Sequence, residues 1–116
     1  MANVQFACKT IPVEQILKCS FGLNKTEVVV LKRIFNETEE IEMPELIKKI
    51  KKDRTTIQRA LKNLTTKNLL IRRQINLERG GYVYTYKVRD KNEVKNEITE
   101  IFNAFAEKVK FELENW

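Results

Sequence analysis

The chain has 116 residues and a net charge of +6, with 33% charged and 42% hydrophobic residues, a composition typical of one globular domain and not of a disordered segment. There is no histidine, and the two cysteines form no CxxC pair, so we expect no zinc site, no cofactor and no histidine-based catalysis. No apolar run approaches about 18 residues and the N-terminus has no signal-peptide pattern, so we expect a soluble, cytoplasmic protein without a membrane partner.

The N-terminal segment predicts a poorly ordered stretch followed by a short helix. Residues 1–9 carry little periodic signal, and we expect them to fray. Pro12 suits the first turn of a helix, where its missing N–H has no partner, so a helix is predicted from there to about Cys19. Both Cys8 and Cys19 are expected to be small buried residues with reduced thiols.

A capping box predicts the start of a second helix. Asn24 can accept a hydrogen bond from the N–H of Glu27, whose side chain can reach back to the N–H of Asn24. The apolar residues that follow have a helical period up to about Asn36. After a polar loop, Ile41 and Met43 are assigned to a very short strand.

Two helices joined by a tight turn come next. Pro44 opens a helix that reaches about Lys51, and Asp53 is expected to cap another helix over residues 54–67. The apolar residues of this second helix cluster on one face of a helical wheel, namely Ile57, Ala60, Leu61 and Leu64. The pair matches a helix-turn-helix, in which the second helix reads DNA.

A β-hairpin is predicted directly after these helices. Asn68 ends the second helix, since asparagine tolerates the left-handed conformation found there. Strands over residues 69–77 and 82–88 enclose a turn in which Gly80 and Gly81 can take positive φ. The alternating tyrosines of the second strand are expected to pack inside the protein and not to bind a ligand.

The C-terminal residues predict a long amphipathic helix. Asp90 and Glu93 form a second capping box, and the helix extends to about Asn115. Its wide apolar stripe would be costly to expose, so we expect a second copy of the chain to cover it. The alternative is a helix that folds back entirely on its own domain. The stripe predicted to form the dimer interface comprises Ile98, Ile101, Phe102, Phe105, Val109, Leu113 and Trp116.

Together these elements predict an α+β fold that is mostly α, a winged helix-turn-helix with a long C-terminal dimerisation helix. We expect a single domain over residues 1–116, with a winged-helix core at 21–89. The N-terminal helix at 10–20 and the C-terminal helix at 90–116 are expected to mediate dimerisation.

Charge singles out the helix-turn-helix and the hairpin as a DNA-binding surface. Residues 44–91 carry a local charge of +10 and the remainder −4, which indicates a polyanionic partner more than an ordinary solvated face. Base reading is assigned to the exposed face of the second helix, at Thr55, Thr56, Gln58 and Arg59. Phosphate binding is assigned to Lys48, Lys49, Lys52, Arg54, Lys62 and Lys67. The predicted β-hairpin, which we call the wing, contributes Arg72, Arg73 and Arg79. Because successive residues of a strand point to opposite faces, only one of Arg72 and Arg73 can face DNA.

The segment MPELIKKIKKDRTTIQRALKNLTTKNLLIRR resembles the winged-helix core of MarR-type regulators and of archaeal TrmB-type regulators. FGLNKTEVVVLKRIF is similar to the preceding helix of the TrmB type. The resemblance covers about residues 21–89 and implies homodimeric transcription factors that bind pseudo-palindromic sites. Short archaeal regulators of this architecture match best.

Two departures from these families matter. Asn68 stands where they usually have glycine. The chain also ends after one helix, so a TrmB-type sugar-binding domain is expected to be missing. The resemblance allows a small-molecule effector between dimer helices and winged domain, but no residue marks such a pocket.

The predicted function is that of a sequence-specific, homodimeric transcriptional regulator on double-stranded DNA of the nucleoid. One alternative is an architectural, chromatin-like DNA-binding protein that reads no bases. Another is a winged-helix interaction module of the transcription or RNA machinery. An enzyme is the least expected class, because histidine, paired carboxylates at a cleft and a phosphate-cradling glycine loop are all missing from the sequence.

Overall fold

The computed structural model describes residues 3–37 and 39–116. They divide into two compact units, one of residues 23–89 and one made from the two ends of the chain. Among the described residues, no helix is long and apolar enough to cross a membrane. The elements in chain order are β1 (Asn3–Phe6), β2 (Lys9–Pro12), α1 (Val13–Phe21), α2 (Lys25–Phe35), β3 (Ile41–Glu42), α3 (Met43–Lys49), α4 (Arg54–Thr66), β4 (Leu70–Asn76), β5 (Tyr82–Val88) and α5 (Lys91–Glu114).

The unit made from the chain ends begins with a β-hairpin that was predicted as a frayed segment. β1 pairs antiparallel with β2, with Asn3 opposite Pro12, so the prediction for residues 1–9 was wrong where the structure describes them. Pro12 ends β2 and is the N-cap of α1. Cys8 and Cys19 are both exposed, so their predicted burial was also wrong.

Helix α5 starts at the predicted capping residue. The Asp90 side chain accepts a hydrogen bond from the N–H of Asn92 at 2.8 Å, which satisfies one of the free donors at the start of the helix. α1 packs against α5. Among the described residues of this unit, Val94 is the single fully buried one. Almost every apolar side chain of the chain ends therefore keeps contact with solvent.

The central unit, Leu23–Arg89, contains the hydrophobic core and the winged helix. The capping box of α2 is confirmed, since Glu27 N–H donates to Asn24 Oδ1 at 2.8 Å and Asn24 N–H donates to Glu27 Oε1 at 3.0 Å. The sheet has the strand order β3-β5-β4, all antiparallel, with Ile41 opposite Tyr86. The largest side chains without solvent contact come from both helices and strands: Leu31, Ile34, Ile41, Leu46, Ile57, Leu61, Leu64 and Leu69.

The end of α4 confirms the predicted left-handed residue. Asn68 has a φ of 62°, and Leu69 N–H donates to Leu64 carbonyl oxygen at 3.0 Å, which closes the helix. This reversal turns the chain directly into β4. The predicted α+β winged helix-turn-helix is confirmed, with the difference that Met43 starts α3 and does not belong to β3.

Replacing Asn68 with alanine should destabilise the folded chain by about 1 kcal/mol, because both residues carry a Cβ but only the short polar side chain of asparagine can offset the strain of the left-handed region by local hydrogen bonding. Replacing it with glycine should leave the free energy of unfolding unchanged or slightly raised, since glycine adopts positive φ freely. Urea denaturation followed by circular dichroism measures both. Equal destabilisation by both variants would show that the side chain, and not the backbone angle, matters at this position.

Candidate nucleic-acid interface

Helix α4 presents one apolar and one polar face, as predicted. Ile57, Leu61 and Leu64 are fully buried and hold the helix against the core. The outward face contains no acidic residue between Arg54 and Thr66. Its exposed hydrogen-bonding side chains are Thr55, Gln58, Arg59, Lys62 and Thr66. This face has the donors and acceptors that base edges in a major groove require.

Thr56 differs from the other residues assigned to base reading. It is half-buried, and its hydroxyl donates a short hydrogen bond to Asp53 Oδ1. This hydrogen bond is the main reason why the pKa of Asp53 lies below its usual value. Asp53 is the N-cap residue of α4, as predicted, and its carboxylate accepts this hydrogen bond from the Thr56 hydroxyl. The Thr56 hydroxyl therefore already donates its proton to Asp53 and cannot donate it to a base at the same time.

The cations assigned to phosphate differ in their surroundings. Lys49 Nζ lies 2.6 Å from Glu37 Oε1, and Lys67 is half-buried. An exposed ion pair of this kind is worth little, so a phosphate group can replace the carboxylate. The remaining side chains are exposed on α3, on the turn or on α4: Lys48, Lys52, Arg54 and Lys62.

The base of the wing is held by one carboxylate. Glu40 Oε2 accepts from Thr85 Oγ1 at 2.6 Å and from Arg73 Nη2 at 2.9 Å and Nε at 3.2 Å. The hydrogen bond from Thr85, and then that from Arg73, holds the pKa of Glu40 below its usual value. Arg73 thus has an intramolecular partner 33 residues earlier in the chain, which the sequence pattern did not predict.

Glu40→Gln should make the stability of the protein less dependent on pH. Because the folded pKa of Glu40 is lowered, its stabilising contribution is complete above the usual value of 4.5 and is lost as the pH falls through the lowered pKa. The variant should therefore unfold at a lower temperature than the wild type at neutral pH, and the difference should shrink in acid. Thermal melts between about pH 7 and pH 3 measure it. A constant difference across this range would contradict the role given to Glu40.

The other face of the wing carries Arg72 and the three tyrosines of β5. The Arg72 guanidinium carbon lies 4.3 Å from the Tyr84 ring centre, a cation–π contact, and Tyr82 meets Tyr84 edge to face. Tyr86 is buried, which raises its pKa, whereas Tyr82 is 55% exposed. Successive residues of β4 alternate between faces, so Arg72 and Arg73 point to opposite sides as expected.

The tip of the wing has the predicted glycine geometry. Gly80 and Gly81 have φ of 91° and 79°, and Gly80 N–H donates to Leu77 carbonyl oxygen at 3.0 Å. Arg79 lies in this turn and is exposed. Its exposed side chain is accessible to a binding partner.

Most of the apolar stripe of α5 is exposed to solvent among the described residues. Ile98 and Ile101 are half-buried, whereas the other members are exposed, Trp116 to 99%. A shallow depression runs along the end of α5 and is lined by stripe residues, among them Phe105, Val109 and Leu113. A contiguous stripe of exposed apolar side chains usually marks an interface with another protein.

One side-chain contact of α4 was not predicted from the sequence. Glu27, the capping residue of α2, is 3% exposed, and its second oxygen accepts from Asn63 Nδ2 at 2.9 Å. Asn63 lies at the edge of the polar face of α4, where its partner 36 residues earlier leaves no local signal. The capping box itself marked Glu27 as a hydrogen-bonding residue but gave no reason to expect burial.

The fold is that of a winged helix-turn-helix protein. MarR itself has the same fold, with a TM-score of 0.56 and 22% identity over 84% of this chain and 72% of MarR. A possible transcriptional regulator from Methanosarcina mazei Go1 is 40% identical, with a TM-score of 0.86 over 99% of this chain and 97% of that one. The predicted resemblance to MarR-type regulators is thereby confirmed for the fold, and that to the TrmB type stays a prediction.

The family model described as the DnaD N-terminal domain matches residues 14–109. The chain belongs to the DnaD N-terminal domain family. It is also 31% identical over 102 residues to the uncharacterized protein MJ1082 of Methanocaldococcus jannaschii, a match that covers 88% of this chain and 83% of that protein.

Proposed function

We propose that this protein is a transcriptional regulator that binds specific sequences of double-stranded DNA as a homodimer. The observation that carries the proposal is the exposed, acid-free face of α4 beside a basic wing, on a fold shared with transcriptional regulators. The winged-helix region also concentrates the positive charge of the chain. No catalytic role is proposed, and the protein is expected to act on nucleoid DNA in the cytoplasm.

Reading and positioning are divided among different side chains. The guanidinium of Arg59 matches O6 and N7 of guanine, and the amide of Gln58 matches N6 and N7 of adenine. Lys48, Lys52 and Lys62 are exposed and can neutralise phosphates, which positions α4 without specifying sequence. Arg79 at the wing tip is proposed to contact the flanking backbone or the minor groove.

The proposed homodimer is supported by the near absence of a hydrophobic core in the described part of the unit formed by the two chain ends. Among the described residues of that unit only Val94 is fully buried, and the stripe from Phe102 to Trp116 lies open to solvent. A second copy supplies an identical stripe, as a two-fold interface requires. Each copy would read one half-site, with half-sites about one helical turn apart.

Selection of bound duplexes from a random pool tests this proposal. The full chain should enrich a motif with two related half-sites, and its affinity should fall steeply as salt rises. Strong but salt-dependent binding without an enriched motif would instead support an architectural DNA-binding protein. Failure to bind DNA at low salt would overturn the proposal and favour a protein-interaction module.

A further inference from the structure

The buried carboxylate of Glu27 joins two helices at the point where α4 must be oriented. One oxygen, Oε1, accepts from the N–H of Asn24 at 3.0 Å, and the other, Oε2, accepts from Asn63 Nδ2 at 2.9 Å. Carboxylates are seldom buried to this degree because removal from water is costly unless hydrogen bonds compensate. The cap of α2 needs only the first of these hydrogen bonds, so the second requires a separate explanation.

The second hydrogen bond restrains α4 in a way that its apolar face does not. Ile57, Leu61 and Leu64 attach the helix by apolar contacts, which are not directional and tolerate small rotations about the helix axis. A hydrogen bond is directional and weakens steeply when its angle changes. The hydrogen bond from Asn63 therefore restrains the rotation of α4 about its own axis relative to the start of α2.

Asn63 is well placed to transmit this restraint to the reading side chains. It follows Arg59 by four residues, so the two lie about 40° apart around the helix and one turn apart along it. Recognition groups have to be held within about 10–20° of their productive geometry. A change in the rotation of α4 would move Arg59 and Gln58 together, whereas flexible lysines on the same helix can still reach phosphates.

We propose that Glu27 and Asn63 are positioning residues for base reading, which hold α4 at the rotation that presents Arg59 and Gln58 to the major groove. The inference rests on the proposed function, because it assigns a share of sequence specificity to the hydrogen-bonded pair of Glu27 and Asn63. Its signature is a loss of specificity without an equal loss of general DNA affinity.

The test compares four full-length proteins: wild type, Asn63→Ala, Asn63→Asp and the double variant Glu27→Gln/Asn63→Asp. Asn63→Ala removes the hydrogen bond, and Asn63→Asp places two carboxylates side by side in a buried site. In the double variant the amide and the carboxylate exchange places. The glutamine side chain introduced at position 27 can still accept from Asn24 and can donate to the carboxylate at position 63. Geometry and net charge are thereby restored.

For each protein, affinity is measured for the selected duplex and for a scrambled duplex across a salt series. Asn63→Ala should reduce the ratio of the two affinities by about tenfold, within the range that one base contact contributes. Its scrambled-duplex affinity and salt slope should stay near those of the wild type. Asn63→Asp should lose more, and the double variant should recover to within about threefold of the wild-type ratio.

A folded Asn63→Ala protein that keeps its affinity ratio within twofold would overturn the inference. So would a double variant that is no better than Asn63→Asp. Thermal melts of the same proteins separate a loss of stability from a loss of specificity, since a purely structural pair would change the melting temperature and leave the ratio intact.

Residual dipolar couplings of the α4 amides give a readout that needs no DNA. They should show a rotated α4 in Asn63→Ala and a wild-type orientation in the double variant, and an unchanged α4 would overturn the inference. If the wild type itself shows no sequence preference, the proposed function fails, and the dipolar couplings still decide whether the pair orients α4.

Discussion

An Arg59→Ala variant is expected to lose the preference for one base pair in each half-site, at a cost of about 1–3 kcal/mol for that position. Arg59 is exposed at the centre of the polar face of α4, and its planar guanidinium can donate two parallel hydrogen bonds to guanine. Alanine removes both donors and leaves the proposed phosphate contacts of the neighbouring lysines in place. The loss should therefore concentrate at one position of the site and leave general affinity nearly unchanged.

Competition binding measures this effect with a panel of duplexes that differ from the selected site at one base pair each. The wild type should discriminate at every position of the half-site, and Arg59→Ala should lose discrimination at one of them. Arg79→Ala is the matched control, because it removes an equal charge from the wing tip and should weaken all duplexes to a similar extent. If Arg59→Ala also weakened all duplexes equally, Arg59 would be a phosphate contact.

A Phe105→Glu variant is expected to be monomeric at concentrations at which the wild type is a dimer. Phe105 is 60% exposed within the described chain and lies near the middle of the apolar stripe of α5. A carboxylate there would have to be buried against the identical stripe of a second copy, which is costly for an unpaired charge. The affinity for a duplex with two half-sites should fall by about 10²–10⁴, since the second half-site would no longer be bound intramolecularly.

Phe111→Glu provides the matched control for this prediction. Phe111 is 61% exposed on the same helix, but its position six residues later places it about 120° away around the helix axis. It should therefore leave both dimer and DNA affinity intact. Sedimentation velocity at micromolar concentration measures the assembly. A monomeric wild type, or equal dissociation by both variants, would contradict the assigned interface.

The helices of the winged helix could be predicted because their signals are local. The capping box of Asn24 and Glu27 acts within one turn, and α2 starts there as predicted. The positive φ of Asn68 was expected from asparagine chemistry alone. Each of these features depends on residues within about four positions, so no knowledge of the remaining chain was needed.

The N-terminal hairpin could not be predicted, because it carries no such local signal. β1 and β2 have four residues each, and Ala7 and Cys8 between them are not the glycine or asparagine residues that mark a tight hairpin turn. Pairing of β1 with β2 supplies the backbone hydrogen bonds that make the segment regular. A segment without a local turn signal reads as disordered until its partner strand is known.

The sequence by itself determined the order of the elements in the central unit, the apolar and polar faces of α4, and the concentration of charge that marks the proposed DNA-binding surface. Helical period, capping chemistry and charge density are all properties of contiguous residues. Only the tertiary structure decided which polar groups already have partners: Lys49 with Glu37, Arg73 with Glu40 and Asn63 with Glu27. These partners lie 12, 33 and 36 residues apart, and such pairs depend on how the helices and strands pack.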